Sequence, residues 1–187
     1  MTLVNRDEIL DYATYTDRRP TIRPAMLEAK RVRRVSIGPY LTLLFENHDT
    51  VLYQIQEMMR IERIVRERDI QHELDTYNEL LGGPGELGAT LLIGIDDEIK
   101  RDACLKRWLA LLPTLYAELE DGTRVAPTWD PRQMGEDRLS SVQYLKFNTQ
   151  GAVPAKFGCS FEDPDVYGSV TLSEEQYAAL AADLQGA

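Results

Sequence analysis

The sequence predicts a single α+β domain in which a mostly antiparallel sheet packs with several helices. Three observations carry this. The chain has 187 residues, of which 43% are hydrophobic, enough to bury one core. Residues 1–85 are rich in helical apolar repeats and hold one short hairpin, whereas residues 86–187 read as short strands accompanied by two helices. Asp121-Gly122 between two strand-like runs is a hairpin signal, which makes neighbouring strands antiparallel.

The elements follow in chain order. Asn5 and Glu8 form a capping box, and Val4 can staple against Ile9, so a helix starts there. Residues 17–24 read as a basic loop bounded by Pro20 and Pro24, and residues 25–31 as a short helix. Residues 32–37 and 40–46 are strands split by Gly38-Pro39, and Asn47-His48-Asp49 is a turn. Residues 50–68 read as a helix capped by Asp49 or Thr50, although its first residues also fit a returning strand. Ile70, Leu74, Tyr77 and Leu81 recur at helical spacing and predict a second helix, ended by Gly82-Gly83-Pro84-Gly85.

Residues 89–95 form an apolar strand. Asp96, Asp97 and Glu98 then open a helix to about Leu111, with Lys106 and Arg107 near its far end. Residues 115–120 and 123–128 make the hairpin. Residues 140–147, 155–161 and 166–172 are further strands. Ser173 and Gln176 cap a last helix whose buried stripe is Tyr177, Leu180, Ala181 and Leu184, with Leu172 stapling Tyr177.

Composition narrows the function classes. No apolar run approaches the ~20 residues of a membrane span, and the N-terminus has no secretory apolar region, so a soluble cytoplasmic protein is expected. The two cysteines, Cys104 and Cys159, are too few for a disulfide framework and read as buried packing residues. A net charge of −10 disfavours nucleic acid. That charge is uneven. Between Arg18 and Arg34 lie Arg18, Arg19, Arg23, Lys30, Arg31, Arg33 and Arg34 against Glu28 alone. From Ser160 onward there are acids (Glu162, Asp163, Asp165, Glu174, Glu175, Asp183) and no base. The two segments either neutralise each other across the fold or leave a basic patch for an anion or an acidic partner.

The most informative stretch is residues 51–66. At ~100° per residue, Val51, Leu52, Ile55, Met58, Met59 and Val65 fall within about 140°. Glu62 lies mid-arc, and Arg66 falls inside it one turn on. A carboxylate there is costly unless paired, so a Glu62–Arg66 ion pair is expected, with about 3 kcal/mol lost on Glu62→Ala. The alternative is a polar group facing a cavity, with Gln54, Glu57 and Ile61 alongside. In a strand over residues 32–37, Arg31 and Arg33 would share a face, suited to a carboxylate or phosphate, or simply guard a strand edge. His48 and His72 lack metal-ligand spacing, so no metal and no cofactor is expected. Nucleotide-loop and nucleophile-elbow signatures are absent.

Several motifs together resemble one bacterial family of unknown function. They are Lys30-Arg31-x-Arg33-Arg34-Val35-x-x-Gly38-Pro39, Leu41-Thr42-Leu43-Leu44-Phe45-Glu46 and Tyr53-Gln54-Ile55-Gln56-Glu57-Met58-x-Arg60-x-Glu62. Tyr77-Asn78, Ala89-Thr90-Leu91-Leu92 and Ser140-Ser141-Val142-Gln143-Tyr144-Leu145 also fit. The chain resembles, over nearly its whole length, the family called domain of unknown function 3501. The resemblance carries no activity. It implies a genomic setting beside rubrerythrin-like proteins and iron–sulfur proteins similar to heterodisulfide reductase subunits, hence an accessory role in a redox or oxidative-stress system. This chain lacks the cysteines to hold an iron–sulfur cluster itself.

Two readings follow. One is a non-catalytic binding or accessory protein with rubrerythrin-like or iron–sulfur partners. The other is a small enzyme or anionic-ligand-binding protein. The candidate ligand-binding residues are Arg31, Arg33, Arg34, Glu46, Gln54, Glu57, Arg60 and Glu62. Convergence of these groups on one concavity favours the second reading; a closed network or a flat surface favours the first.

Overall fold

The computed structural model describes residues 2–186. These form five α-helices and two four-stranded antiparallel sheets, a single α+β domain. The helices are α1 (Tyr12–Arg31), α2 (His48–Glu62), α3 (Glu67–Asn78), α4 (Glu98–Arg107) and α5 (Glu174–Leu184). The first sheet runs β1 (Arg34–Ile37), β2 (Leu41–Glu46), β3 (Glu86–Ile93), β6 (Val142–Asn148). The second runs β5 (Arg124–Val125), β4 (Leu115–Glu118), β7 (Lys156–Cys159), β8 (Gly168–Thr171). The β1–β2 hairpin from the helix-rich half extends the sheet of the sheet-rich half, so the two halves interleave.

The main core draws alternate residues from both sheets. Leu41, Leu43 and Phe45 of β2, Leu87, Ala89 and Leu91 of β3, and Leu145 and Phe147 of β6 point to one face. They meet Phe157 of β7, whose ring centroid lies 4.7 Å from that of Phe45. From α4 and the residue after it, Cys104, Leu105 and Trp108 close the core, and Leu180 of α5 joins them. Both cysteines are buried and free, as expected. A second cluster joins α2 and α3 to the N-terminal segment through Val51, Ile55, Met59, Ile70, Leu74, Val4 and Ile9. The capping box at Asn5 and Glu8 forms, but it starts only a 3-10 turn, Arg6–Glu8.

Five local expectations need correction. Residues 17–24 are not a loop, because α1 passes straight through Pro20 and Pro24. Asp11 caps the helix, accepting from the amides of Ala13 and Thr14, each at 3.0 Å. Both prolines are exposed and lie one turn apart, so the carbonyls they leave without a donor face water. Because α1 runs to Arg31, the first strand begins only at Arg34, and Arg31 and Arg33 do not share a strand face.

The helix expected to reach Arg68 stops at Glu62, where Arg63 turns left-handed at φ 55°. Ile64 N–H then closes on the Met59 carbonyl at 2.9 Å, a helix-ending 6→1 bond. Its cap is Asn47, whose side chain accepts from Thr50 N–H while the Thr50 hydroxyl accepts from Asn47 N–H. Finally, Tyr177 is 38% exposed, and the deeply buried α5 position besides Leu180 is charged Asp183.

Candidate functional site

The α2 helix presents one polar row toward α1. Glu57 is its anchor. Arg19 of α1 grips both of its oxygens, at 2.7 and 2.9 Å, and the Tyr15 hydroxyl donates at 2.7 Å. Arg19 above all, with Tyr15 helping, holds the Glu57 carboxyl down at about 2. Burial, reinforced by Glu57, pushes the Tyr15 phenol well up. Arg60 also leans on Glu57, with its Nε 3.6 Å from Oε1. That Nε is buried and has no hydrogen-bond partner. Glu57 therefore sits in a closed network rather than an open pocket.

Glu46 lies at the end of β2 and is 6% exposed. Its two oxygens accept from Thr50 and Thr90 hydroxyls at 2.7 and 2.9 Å. Gln54 accepts from Lys30 Nζ at 3.5 Å, and that ammonium stands 5.2 Å over the Tyr53 ring. Burial pulls the Lys30 pKa down, with Glu46 partly opposing it.

The other expected site residues go elsewhere. Glu62 and Arg66 are both exposed, and no ion pair between them occurs among the described residues, because the helix ends between them. Arg31 is exposed and bridges Glu28 and Glu175 at 2.7 and 2.9 Å. Arg33 is 12% exposed and holds Asp183 (2%) with two hydrogen bonds of 2.8 and 2.9 Å, joined by Asn47 at 3.0 Å. The basic segment and the acidic C-terminal segment thus neutralise each other at these two arginines. Arg34 is exposed on the outward side of β1 and forms no ion pair among the described residues. Glu46, Gln54, Glu57 and Arg60 gather near α1; Arg31, Arg33 and Glu62 do not join them.

A cleft of about 780 Å³ opens instead between the end of α3 and β6. Tyr77 and Leu80 line it. Trp129 and Arg132 line it as well, as do Tyr144 and Lys146 of β6. Gly88 lets α3 come this close, since a Cβ there would run into the Leu80 carbonyl oxygen. The free edge of β6 is covered. The Gln133 side chain accepts from Tyr144 N–H at 2.8 Å and donates to Tyr144 C=O at 2.9 Å, as a neighbouring strand would. The motif Ser140–Leu145 drew attention to β6 but not to Trp129 or Lys146. The available signal was Val142, Tyr144 and Lys146 alternating outward along one strand.

The model of the family "Protein of unknown function (DUF3501)" matches residues 3–184. The chain belongs to this family. The chain is also similar to a crystal structure of a novel protein of unknown function from Burkholderia pseudomallei K96243, which is 31% identical to it. The match covers 98% of this chain and 100% of that one, with a TM-score of 0.86. No curated protein matches. Among the described residues of this DUF3501 chain, no helix is long and apolar enough to cross a membrane.

Proposed function

We propose that this protein is a non-catalytic binding protein that serves as an accessory to a redox system. The observation that carries the binding reading is the aromatic cleft between α3 and β6. Its aromatic lining, Tyr77, Trp129 and Tyr144, suits a planar apolar group, and Lys146 suits one negative charge on it. Of the residues a catalytic reading needs, Glu46, Gln54, Glu57 and Arg60 gather, but the two carboxylates are tied up in closed hydrogen bonds, and Arg31, Arg33 and Glu62 lie apart. Glu57 is saturated by Arg19 and Tyr15, and Arg33 is spent on Asp183. The redox setting rests on the family resemblance, whose relatives stand beside rubrerythrin-like and iron–sulfur proteins.

The test has two parts. Benzoate is titrated into isotopically labelled protein while the two indole N–H signals are followed, with benzyl alcohol as the neutral control. The Trp129 signal should move saturably, while that of Trp108, which is 0% exposed, stays still. Lys146→Gln should weaken benzoate and not benzyl alcohol. A rubrerythrin-like protein from the same organism is then titrated against the chain by calorimetry, and Tyr144→Ala should weaken that binding. An unmoved Trp129 signal sinks the cleft; absence of heat with the redox protein sinks the partner.

A further inference from the structure

A group of cations around Tyr53 lacks the carboxylates that would neutralise it. Lys30 stands over the Tyr53 ring, and its one hydrogen bond, to Gln54, is long at 3.5 Å. Arg34 is close enough to Lys30 to disfavour its charge, and Arg23 faces the Tyr53 phenol. Among the described residues, none of Arg23, Lys30 and Arg34 forms an ion pair within 4.0 Å, while Arg19, Arg31 and Arg33 all do. Arg60 differs, since its buried Nε–H has no hydrogen-bond acceptor but its charge is paired with Glu57 at 3.6 Å.

The nearby carboxylates are already spent. Both oxygens of Glu57 are held by Arg19, and both oxygens of Glu46 are held by threonine hydroxyls. Arg23, Lys30 and Arg34 therefore face only Glu46 and Glu57, two carboxylates whose oxygens are already held by other groups, in a chain whose net charge is −10. Self-repulsion of that kind is costly to keep unless an anion relieves it.

We propose that Arg23 and Lys30 at Tyr53, with Arg34 beside Lys30, form a binding site for the phosphoryl group of a small molecule. A dianion matches the excess charge better than a single carboxylate does. Arginine forks and a lysine point charge together suit phosphoryl oxygens. The ligand is small because the acidic surface beyond the patch repels an extended polyanion. The exposed Arg34 marks the side from which it enters. This site uses none of the cleft residues and stands or falls apart from the cleft.

Inorganic phosphate and phenyl phosphate are each titrated calorimetrically into the full chain, with benzoate as the single-charge control. Saturable binding of at least one phosphate probe is expected, and their order tells free phosphate from ester. Arg34→Gln and Arg23→Gln, both at exposed positions, should each weaken it about tenfold or more, the usual worth of a charge-assisted hydrogen bond. Lys30→Met should do the same. Binding should fall as salt rises from about 50 to about 200 mM, because screening shortens the reach of the patch. Lys146→Gln should leave phosphate binding as it is, while weakening benzoate binding at the cleft. No saturable heat with either phosphate probe overturns the proposal. So does phosphate binding that survives Arg34→Gln and Arg23→Gln, or that is lost with Lys146→Gln.

Discussion

Glu57→Gln tests whether α1 is held to α2 by charge. The carboxyl falls from its ordinary 4.5 to about 2 because Arg19 and Tyr15 bind its ionised form. That difference corresponds to about 3 kcal/mol in favour of the folded state at neutral pH. Arg19 is 30% exposed, so solvent screens part of it, and about 2 kcal/mol is the expected loss in Glu57→Gln. The sign follows from the depressed folded value. The contribution is complete above the unfolded carboxyl value and drains away as pH falls toward about 2. The gap between wild type and variant should therefore hold from pH 7 to about 5 and shrink below about 1 kcal/mol near pH 3. Urea titrations at a series of pH values, followed by tryptophan fluorescence, read it directly. A gap that stays constant across that range would show that the glutamine fails for reasons of shape. A gap near zero at pH 7 would show that α1 is not held by this charge at all.

Three further outcomes use the same urea assay. Asp183→Ala strands Arg33 in a site where the pair is 12% and 2% exposed, and should cost about 3–5 kcal/mol; Arg33→Met combined with Asp183→Leu should recover most of it. Glu62→Ala and Arg66→Ala should each stay within about 0.5 kcal/mol, because both residues are exposed beyond or at the end of α2. Gly88→Ala drives a methyl into the Leu80 carbonyl, so α3 must back away from β3 at about 1–3 kcal/mol; a neutral result would mean that the α3–sheet approach is looser than described.

Much of the fold was legible because its signals are local. Apolar alternation placed β2 and β6. The Ser173–Gln176 box placed the start of α5, and Asp121-Gly122 placed the turn between β4 and β5, where Gly122 takes φ 84°. The failures share a cause. Proline reads as a helix breaker, but Pro20 and Pro24 sit on the wet side of α1, where water replaces the lost partners. Nothing within that segment reveals which side will be wet. Likewise, the helical repeat of residues 51–66 looks continuous, because a left-handed turn at Arg63 leaves no mark in an arginine.

The site was less legible, and for a different reason. Glu62 was singled out by its place on an apolar arc, yet Glu57 is the α2 carboxylate that the fold ties down, and its partners lie on α1, 38 and 42 residues away. The Arg33–Asp183 pair spans 150 residues. Helical spacing can rank which residues face inward, but it carries no information about which distant charge will meet them. Charge imbalance does carry some. The basic run and the acidic C-terminal segment had to meet each other or meet something else. Arg31 and Arg33 took the first course, through Glu175 and Asp183. Arg23, Lys30 and Arg34 found no acid within the described fold. A count of charges in the sequence could state that a surplus exists, but only the packing of α1 against α2 shows that it collects around a single tyrosine.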